Sequence, residues 1–533
     1  IQAGNYWFYF QQHRWQIYDR TATVNFNKTD VATWGIEDFH HKISELYLAS
    51  VKQEKLLQQT KLEPFDAIII KGNVRYLRPT LFDLLANRAI EYFSSDERDI
   101  KRPAYAFEVN DPLVFADAAT FAGHKFETSD TFSLYHKALQ LYQRLISFHL
   151  QDAHPAALID ADINRLGFAN RVAVMDNKDT LYENALRAIV KKYPAEKESA
   201  QALFLVAQLH FQKAQNYQPL GDTTGRYEYV TAKAICEQVT ALKDSSEGRS
   251  NCEFLLREIS RKSLKMEAER VNVPGMPFRM LVNYRNISKL YLRVVKMDRA
   301  VRQSMSNNQW EEEYWQALVK LPVIKTFTQD LPATNDYQEH AVEIKVDALP
   351  IGAYAIIASA DAGFSLSERP LVMQSFHVSN IAYVNNEQDF FVLHRETGKP
   401  LGNASVQIWY PRYDYNVRKW INSKGESIKS DENGHFSLLQ KRMPERSSFA
   451  LEITTASDHL FMDDQMESYP YYRTQDEYDK DEKEDFEKDM RRTFLFTDRS
   501  IYRPGQTVYF KGITVTRDFD TRQAKIVMGM KTM

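Results

Sequence analysis

Cys236-Glu237-Gln238 places a thiol and a carboxamide close together in sequence. An internal thioester is made from such a pair when Cys and Gln stand three apart, as Cys-x-Glu-Gln, so that the thiol reaches the amide across a turn. Here they stand two apart. On a helix, residues two apart point about 200° away from each other, so the two side chains cannot meet. Cys236 therefore reads as a small apolar residue at a helix interface. Cys252 is the only other cysteine. Two cysteines exclude a disulfide-rich scaffold and a Cys-based zinc cluster, allow one bridge, and leave the compartment open.

The remaining reactive groups are as sparse. His40 and His41 are adjacent and would diverge by about 100° on a helix, which argues against a shared metal. The stretch 463–489 is strongly charged, with "DEYDKDEKEDFEKD" at its centre. A calcium loop would need Asp-x-Asp-x-Asp-Gly, and no Gly follows Asp481, so the stretch reads as a solvated linker or helix. The aromatic and basic run "WYPRYDYNVRKW" (409–420) could stack on a sugar or an extended peptide; its preferred reading is a long hairpin packed on its own sheet. His-Glu-x-x-His, Gly-x-Ser-x-Gly and a phosphate-binding Gly-rich loop are all missing from the sequence. No residue is assigned to catalysis, to a cofactor or to a metal, and the chain is not expected to be an enzyme.

What the elements must do instead is build a large folded protein. At 533 residues the chain is long enough for three or four domains. It is 44% hydrophobic, 13% aromatic and 26% charged, with a formal net charge of -3. That balance excludes general disorder and gives no electrostatic reason to bind nucleic acid or an anionic membrane. No apolar run is long enough to span a bilayer, and "IQAGNYWFYF" has neither a basic n-region nor a cleavage site. The start reads as mature or trimmed, which leaves room for a lost signal or lipid anchor.

Residues 1–263 read as helical. Apolar residues recur at three- and four-residue spacing in "YHKALQLYQRLISFHL" (135–150) and "SAQALFLVAQLHFQKA" (199–214). Tyr-x-x-Ala appears at Tyr135/Ala138, Tyr182/Ala185 and Tyr229/Ala232, 47 residues apart each time. A period in the forties belongs to helix-pair repeats, so an α-solenoid is expected, with pairs 135–150/156–168, 182–193/199–214 and 229–242/251–264. An irregular helical bundle is the alternative. The segment 80–93 is a further helix outside that register.

From about residue 264 the period changes to 2, as in "KLYLRVVKM" (289–297) and "HAVEIKVDALPIGAYAIIASA" (340–360), which predicts antiparallel strands. Residues 264–379 are expected to form one β-sandwich, with 303–321 as a helical or loop excursion. A second spans 380–462, with Asn433-Gly434 at a hairpin bend. An acidic linker, 463–490, leads to the start of a third, truncated domain, 491–533.

That third segment carries the most specific pattern. In "TDRSIYRPGQTVYFKGI" (497–513), Pro504 fixes φ for the second position of a β-turn, and Gly505 readily takes the positive φ that a type II turn demands. Strands are expected on both sides, with Val508 and Phe510 facing one way and Tyr509 and Lys511 the other. The stretch closely resembles the signature of a macroglobulin-type domain of the α2-macroglobulin family, Thr-Asp-(Arg/Lys)-x-x-Tyr-(Arg/Lys)-Pro-Gly-(Asp/Gln)-x-Val. Thr497, Asp498, Arg499, Tyr502, Arg503, Pro504, Gly505, Gln506 and Val508 fit it position by position. The preceding sandwiches, with "LPIGAY" and "ETGKPLGNASVQIWY", look like the earlier domains of large bacterial members, and the helical region looks like an extension that some of them carry.

The resemblance implies an extracytoplasmic protein, in the periplasm or at the outer membrane of a bacterium, that inhibits endopeptidases by trapping them. Its partners would be proteases or envelope proteins. The bait and thioester regions of the family lie downstream of this motif, so this chain would be the N-terminal scaffold of a longer protein. The competing reading is a non-inhibitory envelope scaffold that grips a partner through the helical surface.

Charge-rich segments poor in apolar anchors open most easily. Limited proteolysis is therefore expected to cut first inside 463–489 and to spare 135–264. A first cut within 135–264 would contradict the helical-repeat reading.

Overall fold

The computed structural model describes residues 1–18, 30–95, 105–242, 245–305, 311–366, 370–386, 389–415, 419–438, 447–468, 490–497, 507–517 and 524–528. The chain forms two compact units, residues 1–260 with 335–337, and residues 261–334 with 338–533. It is a multidomain protein in which a helical region precedes β-sandwiches.

The first unit holds α1 (Gln2–Tyr18), α2 (Ile36–Ser50), α3 (Glu54–Gln59), α4 (Leu81–Phe93) and α5 (Ala118–Gly123). Three pairs follow: α6 (Leu134–His149) with α7 (Ala156–Val172), α8 (Lys178–Lys192) with α9 (Ser199–Gln215), and α10 (Glu228–Thr240) with α11 (Glu247–Ser260). Their starts are set by local chemistry. Thr80 caps α4 by accepting the Asp83 N–H, while the Asp83 carboxylate accepts from the Thr80 N–H and hydroxyl, a reciprocal capping box. Ser133 caps α6 by accepting from His136 N–H. One continuous apolar cluster runs through these helices, from Ala3 and Phe10 on α1 to Cys252 and Ile259 on α11.

The Tyr-x-x-Ala residues fall near helix starts, but they are not used equivalently. Tyr135 on α6 meets Phe168 on the helix after it, whereas Tyr229 on α10 meets Phe211 on the helix before it. The last helix was expected to reach Leu264. It stops at Ser260, and Leu264 lies instead in β1 (Ser263–Ala268), where Leu264 and Met266 are the buried positions of an alternating strand. The helical stripe ends at Ile259, and Arg261 and Lys262 offer nothing apolar to extend it.

The second unit starts with a sandwich of two sheets. One has the order β1-β3-β6, with β3 at Phe278–Arg285 and β6 at His340–Val346. The other has the order β2-β8-β7-β4-β5, with β2 at Val271–Asn272, β4 at Lys289–Lys296, β5 at Val323–Asp330, β7 at Gly352–Ser359 and β8 at Leu371–Val378. Inward residues of both sheets, among them Met280, Val282, Leu292, Ile344, Ile356 and Phe376, form its core. The excursion between β4 and β5 contains α12 (Arg299–Ser304) and α13 (Glu312–Val319). Met305, Tyr314 and Leu318 from this region cover the other face of the larger sheet at Val295, Ala355 and Ile357.

A second sandwich pairs the sheet β13-β10-β9 with the sheet β12-β11-β14-β15. Its strands are β9 (Ile381–Asn386), β10 (Asp389–His394), β11 (Ser405–Asp414), β12 (Lys419–Lys429), β13 (His435–Ser437), β14 (Ser447–Thr454) and β15 (His459–Ser468). Phe390, Val392, Val406, Phe436, Leu451 and Ile453 meet between the sheets. β15 runs to Ser468, so the first residues of the stretch expected as a linker are strand; residues 469–489 lie outside the described residues.

The last sheet, β16-β17-β18, comprises β16 (Met490–Thr497), β17 (Phe510–Arg517) and β18 (Ala524–Val527). It packs on the second sandwich: Val515, with Phe494, Phe496, Ile513 and Ile526, meets Val384, Phe391 and Leu393 of β9 and β10. The expected alternation from Val508 is corrected here. β17 begins only at Phe510, and Val508 and Tyr509 precede it, both exposed.

The bend at Asn433-Gly434 requires its glycine twice over. Gly434 has φ +74°, and a Cβ there would lie 2.3 Å from the Val392 carbonyl oxygen. Gly398, with φ +67°, has open space instead. Gly398→Ala is expected to cost the conformational strain alone, about 1–2 kcal/mol. Gly434→Ala should cost more, because backbone must move as well. Thermal unfolding of the two variants against the parent checks the order, and equal losses would show that the contact with Val392 is not limiting.

Candidate functional site

A groove of about 870 Å³ in the second unit is bounded by residues of both sandwiches and of the final sheet. Its walls include Phe278 and Arg279 from β3, Arg395 just after β10, and Phe510 and Lys511 at the start of β17. The strands bring these residues together through pairing register: Thr497, the last residue of β16, faces Phe510, the first of β17. Thr497, the first residue of the motif, is among the residues that line the groove. Thr497 and Val508 are described; Asp498, Arg499, Tyr502, Arg503, Pro504, Gly505 and Gln506 lie outside the described residues.

The groove's charges are largely committed to one another. Arg279 bonds Glu343 at 2.9 Å, Arg395 bonds Glu269 at 2.6 Å, and the Lys511 ammonium donates to the Arg395 carbonyl. His394 is occupied too, its Nδ1 accepting from the N–H groups of Glu396 and Thr397. Exposed Met276, Tyr509 and Phe510 supply apolar surface. The groove thus combines ion-paired side chains with exposed apolar ones.

The other sequence candidates are scattered. Cys236 is fully buried, whereas Glu237 and Gln238 are exposed on α10. His40 is buried, with Nδ1 2.7 Å from the Tyr92 hydroxyl, and His41 lies beside the Phe132 ring. Among the described residues no three His, Cys, Asp or Glu side chains are placed to hold a metal ion. The run 409–420 is a hairpin of β11 and β12, with Tyr413 opposite Trp420. Trp409 is covered by the Arg299 guanidinium, 3.2 Å from its ring centroid, and Arg299 also donates to the Asn422 carbonyl.

Sequence reasoning missed the buried ionisable groups of the helical unit. His149, in the last turn of α6, sits between two carboxylates, Nε2 2.8 Å from Asp83 and Nδ1 2.7 Å from Asp152. It thereby ties the capping box of α4 to the end of α6. Burial alone would push its pKa down, but the hydrogen bond and charge of Asp83, then those of Asp152, outweigh it and hold the imidazole above its ordinary value. Arg165, fully buried on α7, bonds Asp162, donates to the carbonyls of Val114 and Ala116, and lies over the Phe121 ring. Thr-x-x-Asp at 80–83 and the i,i+3 spacings of His149 with Asp152 and of Asp162 with Arg165 were the readable signals for this network; Asp83 of His149 and the Val114 and Ala116 carbonyls of Arg165 are distant in sequence.

Neither a family model nor a curated protein matches the chain. Among solved structures, Escherichia coli alpha-2-macroglobulin activated by porcine elastase is similar at 13% identity over 48% of this chain, with a TM-score of 0.18. The match covers 23% of that protein's chain, so only a minor part of its length is represented. Domains 1-6 of the surface layer protein SbsC are similar at 10% identity over 99% of this chain and 65% of that one, with a TM-score of 0.13. Both scores are too low to support an argument about fold. No helix among the described residues is long and apolar enough to cross a membrane.

His149 supplies a pH signature. Because its folded pKa is raised, the stability it contributes is fully present below the unfolded value of about 6.5 and is lost as pH rises through the folded value. His149→Gln leaves Asp83 without its buried cationic partner and should cost roughly 3–5 kcal/mol at pH 6. The gap to the parent should narrow at pH 9. Thermal melts of both proteins across this range test it, and a gap independent of pH would show that His149 is neutral in the fold.

Proposed function

We propose that this chain is the N-terminal scaffold of a bacterial α2-macroglobulin-like protein, an extracytoplasmic endopeptidase inhibitor whose bait and reactive acyl regions lie elsewhere in a longer polypeptide. The observation that carries the reading is the motif at 497–508, in which Thr497, Asp498, Arg499, Tyr502, Arg503, Pro504, Gly505, Gln506 and Val508 fit the macroglobulin-type signature. β-Sandwiches in series support it. On this reading the three sheet assemblies are macroglobulin-type domains and the helical region is a solenoid that offers a docking surface. The chain itself performs no turnover.

The reading separates the chain from its parent. Incubated with a panel of endopeptidases, the chain alone should give no adduct that survives denaturant and reductant, and should leave hydrolysis of small peptides unchanged. The full-length protein should let a captured endopeptidase keep cleaving small peptides while its cleavage of a large protein substrate falls. A denaturation-stable adduct on the chain alone would overturn the scaffold role. A full-length protein that leaves large-substrate cleavage untouched would overturn the inhibitor reading in favour of a non-inhibitory envelope scaffold.

A further inference from the structure

We propose that the loop of residues 62–79 in the helical unit docks the protein on an anionic phospholipid surface, its central isoleucines entering the boundary between headgroups and acyl chains. The middle of the loop is Ile68-Ile69-Ile70-Lys71. Ile70 is 97% exposed and Ile68 74%. Scattered apolar residues are ordinary on a protein surface, but two isoleucines held almost wholly in water within one loop mark a contact site.

The loop is closed and held at its base. Lys61 and Thr80 form an antiparallel bridge, and the Leu81 N–H donates to the Thr60 carbonyl at 2.8 Å, so the chain leaves and returns at one point. Thr80 is also the cap of α4, which fixes that point on the helices. Within the loop the Phe65 carbonyl accepts from the N–H groups of Ile68 and Ile69, and Arg75 pairs with Asp66 at 2.5 Å. On the return, the Tyr76 hydroxyl donates to Glu198 at 2.8 Å and Arg78 bonds Asp160 at 3.2 Å. A loop tied in this way presents its central side chains with little ordering left to be done on binding.

The charges around it select the partner. The chain as a whole carries a formal −3, yet residues 52–78 hold six Lys and Arg against three Asp and Glu. Asp66 is paired with Arg75 and Glu54 with Arg144, whereas exposed Lys61 and Lys71 have no ion-pair partner among the described residues. Glu63 is the loop's remaining carboxylate. An anionic lipid surface complements that local excess, which the whole-chain charge conceals. Protein–protein interfaces are depleted in Lys and favour Tyr, Trp and Arg, and here Tyr76 is already engaged by Glu198 and by the Lys197 ammonium, 4.7 Å from its ring centroid. Aliphatic side chains beside lysines suit a bilayer instead: Ile68 and Ile70 enter among the upper acyl chains while the Lys71 ammonium stays with the phosphates. At that depth water still reaches the loop's backbone N–H and C=O groups, which an irregular segment exposed to lipid could not leave unpaired in the hydrocarbon core.

The test uses the whole chain and sucrose-loaded vesicles of phosphatidylcholine, with or without phosphatidylglycerol. The chain is expected to sediment with the vesicles that contain phosphatidylglycerol, to bind pure phosphatidylcholine much less, and to be released as salt is raised. Ile68→Ser combined with Ile70→Ser should lower the partition coefficient about tenfold. Lys61→Glu combined with Lys71→Glu should remove the preference for phosphatidylglycerol. All four side chains are exposed, so both variants should keep the parent's thermal transition. Ile70→Cys carrying an environment-sensitive fluorophore gives a second reading. Cys236 and Cys252 are buried, so the label goes to position 70, and its emission should shift to the blue on anionic vesicles. A parent that ignores vesicles of both kinds would leave the loop to a protein partner and overturn the proposal. Vesicle binding that the isoleucine variant keeps in full, with no blue shift at position 70, would overturn it as well. Neither result bears on the scaffold reading, which rests on the motif at 497–508.

Discussion

Asp389–His394 is buried on both faces, and the order of the second unit depends on that double burial. Phe390 and Val392 point into the core of the second sandwich, where Phe390 stacks on Phe436 at 5.0 Å. Phe391 and Leu393, one residue out of phase, point the other way and join Val515 of the final sheet. Full burial of such side chains is worth roughly 1.5–3 kcal/mol each, so one six-residue strand anchors two packing layers. Period 2 makes this possible with a continuous apolar run, and a slip of one residue would exchange the two sets between cores. β10 is thus fixed in register by both neighbours.

This arrangement gives the β16-β17-β18 sheet an apolar face to pack against. Phe494, Phe496, Ile513 and Ile526 find their apolar partner surface on β9 and β10. The sandwiches of the second unit are in this sense a laminate. The same logic recurs at the larger sheet of the first sandwich, whose outer face is closed by Met305, Tyr314 and Leu318.

The parts legible in the sequence were those whose signals are local. The switch of period from 3.6 to 2 marks the passage from helices to strands within a few residues, and Asn433-Gly434 announces its bend because positive φ favours glycine. The Tyr-x-x-Ala repeat was locally correct about helix starts and silent about packing, since Tyr135 and Tyr229 engage helices on opposite sides in chain order. Contacts at long sequence separation were beyond such reading. Nothing in "FFVL" says which residue faces which core, and nothing near His149 points to Asp83, sixty-six positions away. The groove was illegible for the same reason, its walls coming from strands that are far apart in sequence and brought together by the second unit's own packing.

For a protein read as a scaffold, this distribution of effort has a mechanical sense. Buried ion pairs and a reciprocal cap fix the helical unit from within. The Arg395–Glu269 and Arg279–Glu343 pairs settle charge along the groove, and Arg299 over Trp409 joins the first sandwich's helical excursion to the second sandwich's hairpin. Partly exposed ion pairs contribute little to stability individually, commonly below about 1 kcal/mol. Their value here is geometric: they orient surfaces that the apolar cores have already brought together. The groove's rim lies where Thr497 and Phe510 meet across β16 and β17, directly on the layer that β10 anchors. Through β17 the buried side chain of Val515 meets Phe391 and Leu393, and the strand that carries them also supplies Phe390 and Val392 to the second sandwich's core.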